Sequence, residues 1–348
     1  MSEQFDPTKE NKIQYAIRVV RLASFGKLKE VVKESAKQSG QSEAKCLREI
    51  LHCMRKFGAG YYDYLIFQFW DKTDAQRDTF LTRFRSKKLI NQANKAELSH
   101  IFDNKDEFDA HFHKYLKRDF VDMTKEPVSA LLEFLEGRDR VFCKLRNLGG
   151  GEGAERLVKA DFASVKDMAE YILEKKFATV EDVIENHPDF AKVYNGAVNT
   201  MRMTTLVGDD GKPYLLYAVL KFGRDGRVVD NYGVQGPINL ETGIYDFPGH
   251  PGDTTDHRWF THHPNSGEPL VGLKVPFFEE AKQMVCEAAL VIPELRYIGW
   301  DVAITPEGPA IIEGNNFTAH DFVQLPGQTP DKIGLMPMIK SIVPSFKF

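Results

Sequence analysis

Features that would settle the class of this chain at once are scarce. Cysteine occurs four times in 348 residues, at Cys46, Cys53, Cys143 and Cys286. The four form no CxxC pair and no Cys/His metal pattern, so cysteine makes no case for a metal site, and a reducing compartment fits best. Cys143 lies in the apolar run VFCK and reads as a small buried hydrophobe. No run of about 18 apolar residues occurs, so no membrane-spanning helix is expected. The N-terminal MSEQFDPTKENK is polar and lacks an apolar signal core, so a cytoplasmic protein is expected. Neither charge sign dominates: 46 basic residues stand against 50 acidic ones, a net charge of −4. That removes any broad electrostatic case for nucleic acid or an anionic membrane as partner. Internal repeats and low-complexity tracts are absent. So are the P-loop pattern GxxxxGK[ST] and any GxGxxG that follows a strand in a βαβ unit.

What is present is enough apolar residue, 42%, for a sizeable core and about two domains. Residues 10–125 have apolar positions at three- and four-residue spacing and read as helical. In the segment CLREILHCMRKFGAGYYDYLIFQFW, GAG is expected to break two helices and the aromatics to fill a core. The basic face of the first helix is either solvated or open to an acidic partner. Beyond residues 124–127 the pattern changes. VFCKLRN, NTMRMTTLV, YLLYAVLKFG and VVDNYG read as strands, and ASVKDMAEYILEK as a helix opened by a serine cap. FFEEAKQMVCEAALVIPEL reads as an amphipathic helix. A helical front and an α+β back follow.

The stretch GWDVAITPEGPAIIEGNN reads as a hairpin. With Pro306-Glu307-Gly308 at its turn, Ile304 faces Ala310, Val302 faces Ile312 and Asp301 faces Glu313. Asn315 shares the face of Asp301 and Glu313. Opposed like charges destabilise a sheet unless one takes a proton or a cation lies between them. Two carboxylates and an amide make an all-oxygen ligand set that suits Mg²⁺. The plainer alternative is an exposed face with scattered acids. Upstream, Lys144 closes a strand just before Gly149, Gly150, Gly151 and Gly153. Glycines let backbone N–H groups approach phosphate, although the same run fits a flexible loop. Arg202, inside a strand-like run, calls for an anion, either phosphate or a structural carboxylate. Asn231 in VVDNYG follows the same logic less strongly.

Taken together, the chain resembles the sugar-transfer-associated ATP-grasp family. The carrying stretches are FDNKDEFDAHFHKYLKRDF, VFCKLRNLGGGEGAE, TVEDVIENHP, VNTMRMTTL, VVDNYGVQGPI, HHPNSGEPLVGLKVP and GWDVAITPEGPAIIEGNN, in order from about residue 100 to 317. The resemblance implies an α+β ATP-grasp fold, two subdomains sandwiching ATP, after a mostly helical N-terminal region. Its expected bounds are 1–125 for the helical region, 126–190 for a glycine-loop subdomain, 191–330 for a metal-binding subdomain and 331–348 for a tail. It implies Asp301, Glu313 and Asn315 as ligands of Mg²⁺, with Mn²⁺ as an alternative. It implies Lys105, Lys144 and the glycines at ATP phosphates, and Glu181, Asp182, Val183 and Ile184 at adenine. Glu185 is implied at ribose, and Arg202 and Asn231 at the transferred phosphate and acceptor. VQGPI departs from the paired-glycine turn of relatives.

The implied activity is an ATP-dependent ligase joining a carboxylate to an amine or thiol through an acyl phosphate, on amino-acid or sugar-linked substrates. Its rivals are a kinase acting on a hydroxyl and a nucleotide-binding scaffold. His250, His257, His262 and His263 lack zinc spacing and read as a loop near the acceptor, with His263 as a candidate substrate contact.

Overall fold

The computed structural model describes residues 25–146, 153–252, 256 and 258–348. The expected glycines Gly149, Gly150 and Gly151, His257 and the first part of the helical front lie outside these residues. Two compact units form. One comprises Met1–Lys95, Leu206–Tyr214 and Phe317–Phe348, the other Ala96–Thr205 and Leu215–Asn316. These divisions differ from bounds at 125 and 330. No helix among the described residues is long and apolar enough to cross a membrane.

In the first unit, Ser42 caps the helix Glu43–Phe57 by accepting from Lys45 N at 3.4 Å. Gly58, at φ 66°, ends that helix, and Tyr61–Ile66 follows, so GAG does break two helices. Ile50, Cys53, Phe57, Tyr64, Phe67, Phe69 and Phe80 build the core. The C-terminal segment joins this unit through apolar burial of Met336, Ile339 and Val343 and through Gln324. The Gln324 Oε1 accepts from Leu81 N at 2.8 Å and from Leu335 N at 3.0 Å, while its Nε2 donates to Leu81 O at 3.0 Å.

The second unit carries the strands β1 (Phe120–Asp122), β2 (Arg140–Lys144), β3 (Ala154–Val158) and β4 (Thr179–Asp182), in the sheet order β1-β4-β2-β3. The second sheet runs β10-β9-β5-β6-β7-β8, with β5 at Thr200–Val207, β6 at Pro213–Phe222 and β7 at Val234–Ile238. In it, β8 is His250–Pro251, β9 is Tyr297–Thr305 and β10 is Gly308–Asn315. The helices Val165–Lys175, capped by Ser164, and Phe278–Ala288 fall where expected. Cys143 is fully buried beside Val141, Val180 and Leu131. Burial pushes the Cys53 and Cys143 thiols up to about 12 and raises that of Cys286 as well.

Three local expectations are corrected. β1 lies in a stretch read as helical. VVDNYG is not a strand but a turn, because Asp230 is drawn inward to accept from Thr200 N at 2.9 Å. Gly233 closes that turn so tightly that a Cβ there would lie 1.9 Å from Phe222 O. The departing VQGPI is β7, paired with β6. The hairpin has a two-residue turn, Pro306-Glu307, closed by Thr305 opposite Gly308. Ala310 therefore faces Ala303, and Ile311 faces Val302. A bulge at Ile312 then restores Glu313 opposite Asp301.

Replacing Gln324 with Ala leaves three backbone groups of Leu81 and Leu335 without their partner. We expect the unfolding free energy to fall by at least about 2 kcal/mol in urea denaturation. An unchanged midpoint and slope would show that these bonds contribute nothing.

Candidate functional site

Apolar packing fixes which side of the hairpin carries charge. Trp300 is fully buried and meets Phe112 and Phe102 at ring-centroid distances of 5.3 and 6.0 Å. Its Nε1–H donates to Thr205 Oγ1 at 2.9 Å. Because strand neighbours alternate, Asp301 must project to the opposite face. There it meets the adjacent strands in turn. Arg202 of β5 donates from Nε to Asp301 Oδ1 and from Nη2 to Oδ2, both at 2.8 Å. Lys221 of β6 donates to Oδ1 at 3.2 Å and lies 3.8 Å from Asp230. On the other side, Lys105 Nζ stands 3.9 Å from Glu313 Oε2. The positive partner demanded by two opposed carboxylates is thus supplied by protein cations.

Burial works to raise the Asp301 carboxyl, but Arg202 and then Lys221 more than offset it and hold it well below the usual range. Burial alone would lower Arg202, yet Asp301 lifts it above its ordinary value. Asp230 is raised by burial, against the pull of Lys221.

The facing wall comes from the first sheet. Phe142 pairs with Glu181 across β2 and β4, and Lys144 Nζ bonds Glu181 Oε1. Glu181 Oε2 accepts from Arg118 Nε at 2.9 Å. Burial would raise Glu181, but Arg118 and Lys144 bring it below the carboxylate norm. Lys144 is lowered by its own burial. Past Asp182 the pairing with β2 ends, so Val183 and Ile184 run on outside the ladder. Asp182 turns its carboxylate to Arg138, and Glu185 pairs with Arg140.

Lys105, Lys144, Glu181 to Ile184, Asn231, Asp301 and Glu313 line one cleft. Arg202 reaches it through Asp301. Asn315 sits opposite Gly299, its amide donating to Gly299 O at 3.5 Å, and Glu185 lines a neighbouring cavity. Gly153, at φ 68°, accepts from Leu145 N at 3.0 Å before β3. Lys221 also lines the cleft and was missed, although the reasoning applied to Arg202 fits a lysine in YLLYAVLKFG equally well. Arg118 and Asp230 had no comparable signal. His263 is no substrate contact: it is 1% exposed and its Nε2 meets Gly223 O at 2.8 Å.

The donor set fits a hard divalent cation unevenly. Glu313 is 38% exposed at its side chain and lies beyond hydrogen-bond length of Lys105, so its oxygens are open. Asp301 already accepts three hydrogen bonds out of about four lone-pair sites. Few protein oxygens with room for phosphate is the pattern Mg²⁺ favours. Among the described residues, a separate group spaced for a metal is Asp63, His320 and Asp321. There the two His320 ring nitrogens face Asp63 at 3.0 Å and Asp321 at 3.3 Å, an ion-pair arrangement.

Behind the cleft, burial lifts Asp109 to about 6 despite Lys144 and Arg118. A raised carboxyl favours the fold while protonated. Its contribution is full below about pH 4 and is lost as pH rises through about 6. The stability of Asp109→Asn relative to the parent should therefore grow between pH 4 and pH 7. Paired denaturation curves at the two pH values check this, and a constant difference would refute it.

The family model for sugar-transfer associated ATP-grasp matches residues 162–342. No curated protein matches. Similar solved structures include D-alanyl-alanine synthetase A from Vibrio cholerae, at 15% identity and TM-score 0.37, covering 70% of this chain and 60% of that one. A biotin carboxylase domain of the Hydrogenobacter thermophilus 2-oxoglutarate carboxylase, with MgADP, gives 12% identity and TM-score 0.41 over 64% of this chain and 41% of that one. The ATP-grasp ligase PsnB, with Mg and ADP, gives 14% identity and TM-score 0.40 over 72% and 60%. This chain thus spans 60% or less of the length of each of these three structures. With a model matching more than half of its length, the chain belongs to the sugar-transfer associated ATP-grasp family.

Proposed function

We propose that this chain is an ATP- and Mg²⁺-dependent ligase that activates a carboxylate as an acyl phosphate and passes it to an amine or thiol. The observation that carries the reading is the row of charges Glu313, Asp301, Arg202 and Lys221 across one sheet, with Lys105 beside Glu313 at the start of the helix Lys105–Leu116 and Lys144 on the other sheet. Adenine fits beside Val183 and Ile184, where the backbone leaves the ladder. Glu313, with Asp301 and Asn315, would hold Mg²⁺, which offsets phosphate charge as the phosphoryl group moves.

The chain's own cations do the rest. Lys144, Lys105 and Lys221 hold the phosphates, and Arg202 is kept in one orientation by its two bonds to Asp301. A substrate carboxylate oxygen attacks the γ-phosphorus, the bond to the β-phosphate oxygen breaks, and ADP leaves. The nucleophile then attacks the acyl carbon near Asn231, losing a proton as inorganic phosphate departs. A sugar-linked acceptor is the narrower form of this reading, supported by the family's description, and Mn²⁺ is expected to substitute for Mg²⁺.

The test is ADP release screened against carboxylates paired with amines and thiols, with product masses determined. A condensed product supports the reading, whereas a stable phosphate ester would replace it with hydroxyl phosphorylation. Glu313→Gln should lower ADP release on the order of 100-fold while leaving the melting temperature unchanged. Unchanged turnover would remove the hairpin from the chemistry.

A further inference from the structure

Arg118 belongs to no expected set, yet it touches both walls of the cleft. The helix Lys105–Leu116 ends at Lys117, which takes a left-handed conformation at φ 54°. Arg118 follows, and its side chain is 2% exposed. A guanidinium has five N–H donors in a rigid fork, and here they are distributed over three elements. Nε donates to Oε2 of Glu181 on β4 at 2.9 Å, the carboxylate that also pairs with Lys144 of β2. Nη1 donates to Ile311 O at 2.7 Å and to Leu116 O at 3.4 Å. Nη2 donates to Ile312 O at 3.3 Å and lies 3.9 Å from Asp109 Oδ1.

Ile311 and Ile312 are the residues at which the β10 ladder slips. Without that slip the register of the turn would continue, placing Ile312 opposite Asp301 and moving Glu313 out of line. A bulge leaves ladder groups in need of partners. Arg118 supplies them at both carbonyls.

We infer that Arg118 is a positioning residue: by clamping the Ile311–Ile312 bulge to Glu181, it sets Glu313 opposite Asp301 and at a fixed place relative to Lys144. The inference rests on the ligase reading, since it concerns how the chain presents Glu313 to a divalent cation beside a nucleoside diphosphate. Arg118 itself touches no reacting atom. Its loss therefore weakens the metal-dependent part of nucleotide binding and spares the part made by the adenine wall.

Arg118→Lys is the informative change. It keeps a positive charge for the buried Glu181 and Asp109 but has no fork to reach both carbonyls. ADP binding to the full chain is measured by calorimetry, once with EDTA and once with saturating Mg²⁺, alongside a thermal melt. The expected result is a cooperative melt, metal-free ADP affinity within about threefold of the parent, and a loss of about tenfold in the affinity that Mg²⁺ adds. Equal weakening with and without Mg²⁺ would make Arg118 a general structural support and overturn the inference. So would an unchanged gain from Mg²⁺ in the variant. A parent chain that binds no ADP under either condition overturns the ligase reading and this inference with it.

Should Arg118→Lys fail to fold, a crystal structure of the parent with Mg·ADP decides. Glu313 on the ion with Arg118 still bonded to both carbonyls supports the clamp. Glu313 on the ion with the carbonyls released overturns it.

Discussion

The bidentate bond between Arg202 and Asp301 is the constraint on which the second unit turns. A buried pair of this kind is weak evidence for stability, because desolvation of both ions offsets their attraction. Breaking it is another matter, since one uncompensated charge left inside costs about 3–5 kcal/mol. The pair therefore specifies an arrangement more than it strengthens one. With Arg202 fixed to Asp301, neighbouring strands β9 and β5 are held with charged groups on the cleft side. Lys221 then extends the row to β6 and Asp230. The aromatic packing of Trp300 on the reverse side makes a flip of this face prohibitive, because it would bury the charges among Phe102 and Phe112.

The two walls contribute different chemistry. The six-stranded sheet supplies Asp301, Glu313, Arg202 and Lys221. The four-stranded sheet supplies one lysine, an apolar surface around Phe142, and a stretch of backbone past Asp182 that no strand uses. The resemblance implies Glu181 at adenine. Its side chain sits between Lys144 and Arg118, so β4 also governs where Lys144 points. That single carboxylate thus joins β4 to Lys144 of β2 and to Arg118.

Much of this was legible in the residue order. Acids in an apolar hairpin, a lysine ahead of a glycine run and an arginine in a strand each broke a local rule, and rule-breaking residues are where chemistry concentrates. The opposition of Asp301 and Glu313 was foreseen, but by a different route. A three-residue turn and a straight ladder give the same pairing as the two-residue turn and bulge actually present. Bulges carry little sequence signal of their own, so Ala310 was set opposite Ile304 rather than Ala303, and Ile312 opposite Val302, where Ile311 sits. VVDNYG failed for a tertiary reason, as its β-forming valines were overridden by the inward bonds of Asp230. Arg118 lay beyond reach because its partners are far away in the chain, at Glu181 and Ile311.

Three of the four thiols are buried and that of Cys286 is half-buried. Cys53, Cys143 and Cys286 are all held toward their protonated forms, and Cys46 is wholly enclosed. None of the four lines the cleft, so a nucleophile of this chain acting there would have to be an oxygen or nitrogen group.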